Sequence, residues 1–231
     1  MSQLLSAPDL ENLLASANIL AMRGNSEVRL VVLQNQEYRL LVLNGAVQSV
    51  QYMPRPELIM FPHQQVLLSI LPMLPEQARV LELGLGGGSA LAHAAHFYPK
   101  QKWHSIEKSM AVIDLYLEFF APKIPHVHHQ IVCADALEWL QGNPIDQESA
   151  FDLVLCDVYA KVRRPLLREC AKQVKPGGWL LVNWLPHLHS SEQVHNFLKA
   201  VPELANWQVT TQKVAGFRNQ IVRFQKPTKG N

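Results

Sequence analysis

The sequence predicts an α/β protein in which a mainly parallel, seven-stranded sheet carries helices on its faces, ends in an antiparallel C-terminal edge and follows a small antiparallel sheet. Three observations carry this. From Arg79 onward, short aliphatic runs alternate with helical stretches, the pattern of a parallel sheet with crossover helices. One of those strands runs into the glycine-rich turn Gly84-Leu85-Gly86-Gly87-Gly88 and then into a helix. Before Pro54 the apolar period shortens to that of strands, punctuated by the hairpin signal Asn44-Gly45.

Taken in chain order, Leu10, Leu13 and Leu14 fall near helical spacing, which predicts an amphipathic helix from Pro8 to Met22, stopped by Gly24. Val28–Leu33, Tyr38–Leu43 and Ala46–Gln48 read as short strands of the small sheet. Pro54 and Pro56 break it, and a helix is expected from His63 to Leu74, before Pro75. The domain division that follows is residues 1–55 for the helix and small sheet, and residues 56–231 for a Rossmann-like nucleoside-binding domain.

In the second part, strands are expected at Val80–Leu83, Trp103–Glu107, Gln130–Cys133, Phe151–Asp157 and Trp179–Trp184. Helices are expected near Ser89–Phe97, Met110–Phe120, Ala136–Gln141, Pro165–Val174 and Ser191–Ala200. Trp207–Gln212 and Gln220–Phe224 are two more strands with only Gly216 and its neighbours between them, too little chain for a crossover, so they should pair antiparallel at the sheet edge.

Composition bounds the function. The chain has 231 residues, 48% of them hydrophobic, enough to bury a full core. Its 21 basic and 19 acidic side chains nearly cancel, so no global field draws it to nucleic acid or to a membrane surface, and neither is expected as a partner. Cys133, Cys156 and Cys170 are odd in number and lie in or beside apolar segments, which predicts reduced core thiols. The start of the chain lacks a basic, then apolar, leader, and no apolar run reaches the length of a membrane span; a cytoplasmic protein is expected. His126, His128 and His129 have no cysteine or carboxylate at structural-zinc spacing, so no metal is expected.

A strand, a glycine turn and a helix bring backbone N–H groups and a helix N-terminus against a ligand, because a Cβ at the turn would hold the ligand away. Gly84, Gly86, Gly87 and Gly88 are therefore candidate nucleoside-binding positions; the plain alternative is a tight turn with no ligand. Glu107 ends the next strand 23 residues after Gly84, near the offset at which a carboxylate accepts bonds from ribose hydroxyls. Ser89 stands where a dinucleotide fingerprint has Gly or Ala, and Glu82 and Asp135-Ala136 fit a mononucleoside better. Two readings of Asp135 stand side by side: acceptor for an adenine amino group, or N-cap of the following helix. Trp184 and Tyr159, at strand ends, either stack on a ligand or close the core, and His187 and His189, on the ligand side after the fifth strand, either contact substrate or belong to an ordinary polar loop.

Through Leu43–Gln48, Val80–Gly88, Ser105–Glu107, Val112–Leu115, Asp135-Ala136, Phe151–Asp157 and Val174–Gly178, the chain resembles the spermidine synthase family, a branch of the class I S-adenosylmethionine-dependent methyltransferase fold. The small sheet ahead of the Rossmann-like part is the most specific element of the resemblance. What it implies is an S-adenosylmethionine or decarboxylated S-adenosylmethionine co-substrate, with Gln48 and His63 bordering the nucleoside pocket, Glu107 on the ribose and Asp135 on the adenine. It also implies a homodimer.

The departures concern charge. Family members that move an aminopropyl group carry an acid in the turn where this chain has Gly87, a second acid in an Asp-x-x-Asp-Pro run where it reads Asp157-Val158-Tyr159-Ala160-Lys161, and a third where it has Gln64. A polyamine acceptor is a cation that must lose a proton before it attacks, so its site needs carboxylates. Of that set Asp157 remains, as base or anchor, with Tyr159 and Lys161 as substrate-side candidates. Lys161, Arg163 and Arg164 either attract an anion to the site or form a solvated helix face. The expected activity is transfer of a methyl or aminopropyl group to a small-molecule acceptor; the rivals are a putrescine aminopropyltransferase with rearranged anchors and a non-catalytic nucleoside-binding protein.

Overall fold

The structure is a computed structural model that describes residues 4–25, 27–122, 128–146, 149–188 and 201–228. The helix expected at Ser191–Ala200, and with it His126 and His189, lies outside the described residues.

Helix α1 spans Ala7–Ser16. Ser6 opens it with a capping box: its Oγ accepts from the Asp9 amide, and its own amide donates to Asp9 Oδ2 at 2.8 Å. The helix predicted to run to Met22 ends six residues earlier, because Ala17 is extended and Asn18–Gly24 forms strand β1. The apolar residues beyond Leu14 no longer fall on the helix's buried face, and the backbone instead pairs with strand β2, Arg29–Gln34, from Asn18 opposite Gln34 to Gly24 opposite Arg29.

Strands β3 (Tyr38–Leu43) and β4 (Ala46–Tyr52) complete a four-stranded antiparallel sheet in the order β1-β2-β3-β4. The hairpin turn at Asn44-Gly45 has positive φ at both residues, as its sequence predicts. β4 runs four residues past the expected Gln48, with one irregularity: Leu41 faces Ser49 and Val42 faces Val47, so Gln48 is the unpaired residue of a bulge. A bulge re-aims its side chain, and this one lies at a cavity described below.

One part of the small sheet, with Leu30, Val32 and Leu41, shares a core with Val80, Leu91, Trp103, Tyr116 and Leu153 of the large sheet and its helices. Leu40, Val42 and Val50 instead pack with Leu5, Leu13, Met60 and Phe61. The small sheet is thus clamped between α1 and the rest of the molecule.

Helix α2, Pro62–Leu68, is shorter than the predicted His63–Leu74. Pro72 has no N–H to offer the Leu68 carbonyl and its ring crowds that turn, so the chain breaks at Ser69 and resumes as a single 3₁₀ turn, Leu71–Met73.

The large sheet has seven strands in the order β10-β11-β9-β8-β5-β6-β7. Its parallel part comprises β5 (Arg79–Leu83), β6 (Lys102–Glu107), β7 (His129–Cys133), β8 (Phe151–Cys156) and β9 (Val174–Trp184), connected through α3 (Ser89–Phe97), α4 (Met110–Leu115), α5 (Ala136–Gly142) and α6 (Arg164–Gln173). β10 (Gln208–Lys213) and β11 (Gln220–Gln225) form the expected antiparallel edge, with β11 against β9. β5 lies between β6 and β8, so successive connections leave it in opposite directions, and a crevice opens at the carboxyl ends of β5 and β8.

Two expectations change here. The helix predicted at Met110–Phe120 is α-helical only to Leu115; Tyr116–Phe120 widens into a π turn closed by the Ala121 amide on the Tyr116 carbonyl at 2.8 Å. Cys133 is exposed, unlike Cys156 and Cys170, because it ends the sheet's edge strand β7. No helix among the described residues is long and apolar enough to cross a membrane.

Candidate functional site

A cavity of about 910 Å³ occupies the crevice and extends beneath the small sheet. The first part of the glycine turn, Gly84 to Gly86, lines it, fixed by the Gly84 amide on the Ile106 carbonyl at 2.9 Å and by the Asp157 amide on the Leu83 carbonyl at 3.0 Å. Those two bonds splice the ends of β5, β6 and β8 together. A Cβ on Gly84, whose φ is +95°, would run into the Asp157 carbonyl oxygen, so the turn and Asp157 approach this closely only with glycine there.

At one end of the cavity, Gly84, Gly86, Glu107, Asp135 and Ala136 line the wall. Glu107 is buried; Oε2 accepts from the Leu85 amide at 3.2 Å and Oε1 from the Ser109 amide at 3.0 Å, which fixes the carboxylate at the strand end. Asp135 caps α5, one oxygen accepting from the Leu137 and Glu138 amides at 2.9 and 3.2 Å. The capping reading therefore holds for Asp135, while its place in the wall keeps it next to a ligand.

Gln48 reaches the cavity from the bulge in β4, and His63 and Gln64 from the first turn of α2. His63 Nδ1 and Gln64 Oε1 are shielded from solvent and have no hydrogen-bond partner, an arrangement that costs free energy unless something else satisfies them. Burial holds the His63 pKa below its ordinary value and so favours the neutral ring, against the nearby Asp157 carboxylate, which favours the charged one. Asp157 itself lines the cavity and accepts from Asn183 Nδ2 at 2.7 Å; Asn183 in turn accepts from Asn219 Nδ2 at 2.9 Å.

Glu82 is a different kind of acid. It is buried, receives the Ser105 hydroxyl, and is pushed up to about 8, first by burial and further by the Asp157 and Glu107 carboxylates, against the lowering effect of that hydrogen bond. Burial thus favours its protonated, neutral form.

Gly87 and Gly88, predicted to approach the ligand, do not line the cavity. Their missing Cβ atoms make room for protein. A Cβ on Gly88 would enter the Tyr116 ring, and one on Gly87 would stand 2.8 Å from Ser49 Cβ and 3.2 Å from Phe120 Cδ1. The Gly87 amide donates to Ser49 Oγ at 2.8 Å. The rings that press on the turn come from the π segment, so that widened turn and the glycines are one packing arrangement.

Several lining residues carried no sequence signal. Ser49, Phe217, Arg218, Asn219 and Asn183 line the cavity, the middle three from the β10–β11 turn, which the sequence marks only as a glycine-containing gap between strands. Tyr159 and His187 also line it, whereas Trp184 is a buried core residue. Among the described residues, no group of three or more His, Cys, Asp or Glu side chains is placed to hold a metal ion.

With this geometry established, the similarities to known proteins fall into place. Residues 80–178 match the methyltransferase domain family. The polyamine aminopropyltransferase of Vibrio vulnificus is 25% identical over 166 residues; the match covers 67% of this chain and 55% of that protein, so the chain spans about half the length of this curated relative. Among solved structures, a probable spermidine synthase from Corynebacterium glutamicum superposes with a TM-score of 0.70 at 17% identity, covering 90% of this chain and 80% of that one. Human methyltransferase-like protein 13 in complex with SAH gives a TM-score of 0.59 at 19% identity, covering 74% of this chain and 84% of that one. The fold is that of a spermidine synthase-like class I methyltransferase.

Within that fold the three altered acid positions now have surroundings. The space a side chain at position 87 would enter is filled by Ser49 and Phe120, so no acid fits there without displacing them. Gln64 is a buried, uncharged amide, and the second acid's position is taken by Ala160, exposed and lining the cavity, with Lys161 next to it.

Proposed function

We propose that the protein is an alkyltransferase that takes S-adenosylmethionine, in preference to its decarboxylated form, and moves a methyl group to a small-molecule acceptor held beside Asp157. The observation that carries the donor choice is the filled space at Gly87. A donor ending in a bare amine needs an acid there, and Ser49 and Phe120 leave none room. A donor that brings its own carboxylate does not call for an acid at that place.

The cavity volume lies in the range that encloses a ligand of nucleoside size, and the orphaned His63 Nδ1 and Gln64 Oε1 are polar atoms that a ligand would satisfy. In this reading Glu107 receives the ribose hydroxyls, Asp135 and Ala136 flank the adenine, and Gln48, His63, Glu82, Gly84 and Gly86 shape the remainder. The donor supplies an alkyl carbon on a sulfonium, whose sulfur departs as a neutral thioether. The acceptor's lone pair forms the new bond as the C–S bond breaks, and its proton passes to Asp157 or to water. No group has to protonate the leaving sulfur, so the enzyme's work is to hold the two reactants in line and exclude water. Asn183 fixes Asp157 for that role.

Aminopropyl transfer is the second reading, favoured by the four-stranded sheet clamped over the cavity and by the aminopropyltransferase relative. Calorimetry with S-adenosylmethionine, S-adenosylhomocysteine and the decarboxylated donor, followed by incubation of the last with putrescine, separates them. Tighter binding of the two carboxylate-bearing nucleosides and no spermidine is the expected result. Spermidine production moves the protein to the second reading, and failure of all three nucleosides to bind removes both. Binding without transfer to any pool of amines, carboxylates or hydroxyl compounds leaves a nucleoside-binding protein.

A further inference from the structure

The cavity contains charges that donor binding does not use. Lys161 and Arg163 enter it from the loop between β8 and α6, and Arg218 enters it from the β10–β11 turn, about fifty residues further along the chain. None of the three forms an ion pair among the described residues. Other cations do find an acid: Arg23 meets Glu118, Arg168 meets Glu203 and Lys175 meets Asp152.

The acids at the cavity do not offset these cations one for one. Glu107 and Asp135 each accept two backbone amides at the far end. Glu82 receives the Ser105 hydroxyl in a fully buried position. That leaves Asp157, tied to Asn183, as the carboxylate among the cations. Helix α6 begins at the same place: Arg163 is its N-cap, with no capping side-chain bond and no acid in the first turn, so the positive end of the helix adds to the field. Gln64, 9% exposed, presents an unpartnered amide oxygen in the same cavity rather than a carboxylate. Cations from two separate segments and an uncapped helix N-terminus thus line the same cavity as Asp157.

We infer that the acceptor is an oxyanion-bearing molecule, its carboxylate or phosphate group held by Lys161, Arg163 and Arg218 while its nucleophilic atom faces Asp157. This inference rests on the alkyltransferase reading and supplies its substrate class. A polyamine is repelled by the same three groups, whereas arginine and lysine hydrogen bonds to an oxyanion are charge-assisted and among the stronger ones available. Gln64, uncharged where a carboxylate would repel an anion, offers its amide oxygen to an N–H or O–H of the acceptor.

The test uses the full chain saturated with S-adenosylhomocysteine and titrated separately with succinate, inorganic phosphate and putrescine. The expected result is measurable binding of succinate or phosphate, with the stronger of the two naming the anion, and none of putrescine. Arg218→Gln and Lys161→Gln should each weaken that binding about fivefold, the size of a charge-assisted contact that remains partly solvated. Arg218→Glu should abolish anion binding and admit putrescine. Putrescine binding to the unaltered protein overturns the inference, as does anion binding that Arg218→Gln and Lys161→Gln leave intact. If S-adenosylhomocysteine binds and neither anion follows, the inference falls and the donor reading stands; if S-adenosylhomocysteine itself does not bind, the donor reading falls.

Discussion

At one end of the cavity, Gly84, Glu107 and Asp135 each stand at or within two residues of the end of a parallel strand, β5, β6 and β7. At the other, Asp157 and Asn183, at the ends of β8 and β9, share that origin, but the lining is completed by Ser49 from the small sheet, Gln64 from α2, Lys161 and Arg163 from a loop, and Arg218 and Asn219 from an edge hairpin. The first end is a repeated local device, in which each strand delivers one polar group where it leaves the sheet. The second is assembled from elements that meet only in the folded chain. The contrast matches the chemistry proposed: a nucleoside is held by the device common to the fold, while the acceptor is selected by whatever the surrounding elements bring.

The sharpest challenge to this contrast concerns Glu82, whose neutrality keeps the acids from offsetting the mouth's cations. Its folded pKa of about 8 lies above the ordinary value of 4.5, so the folded protein keeps a proton that the unfolded chain releases. Stability is then highest below pH 4.5 as far as this group is concerned, falls as pH rises toward 8, and levels off above it; linkage puts the loss at roughly 5 kcal/mol. Urea unfolding from pH 5 to 8.5 should show this slope in the native protein and a flatter one in Glu82→Gln, with the variant more stable at pH 8. Equal slopes would mean that Glu82 is ionised and the cavity floor is negative.

Gly88→Ala comes next. With φ at +67° and the Tyr116 ring in the way, the added methyl should cost about 3 kcal/mol in thermal unfolding and remove nucleoside binding. Retained binding would show that the turn's shape does not depend on the π segment behind it. Glu107→Ala tests the first end alone. S-adenosylhomocysteine affinity should drop about 30-fold, through lost ribose bonds and two released backbone amides, measured by calorimetry well below the unfolding midpoint. Smallest is Ser49→Ala, which leaves the buried Gly87 amide without its acceptor and should lower stability by about 1 kcal/mol. Loss of nucleoside binding in that variant without loss of stability would give Ser49 a direct ligand contact.

Much of the molecule could be read before its structure was known, and the misses have identifiable causes. Alternation of aliphatic runs and helices located all five parallel strands, because strands buried on both faces leave a continuous apolar record. The sequence predicts too long an N-terminal helix because strand β1 exposes nearly all of its side chains, with Ile19 63% and Met22 50% exposed, and so shows no apolar alternation. The break in α2 at Pro72 was written in the sequence and needed only the rule that proline cannot donate.

For the site, sequence alone determined the glycine turn, Glu107, Asp135 and Asp157, since each sits at a fixed offset from a strand that periodicity can locate. Sequence also showed which acids were missing. Only the tertiary structure decided what replaced them. Gly87 and Gly88 prove to be shaped by Ser49, Phe120 and Tyr116 rather than by a ligand, and Arg218 joins Lys161 and Arg163 across a long stretch of chain. Those are relations between side chains whose separation in sequence carries no information about their separation in space, because strand order in the sheet, and not chain order, sets which ends become neighbours.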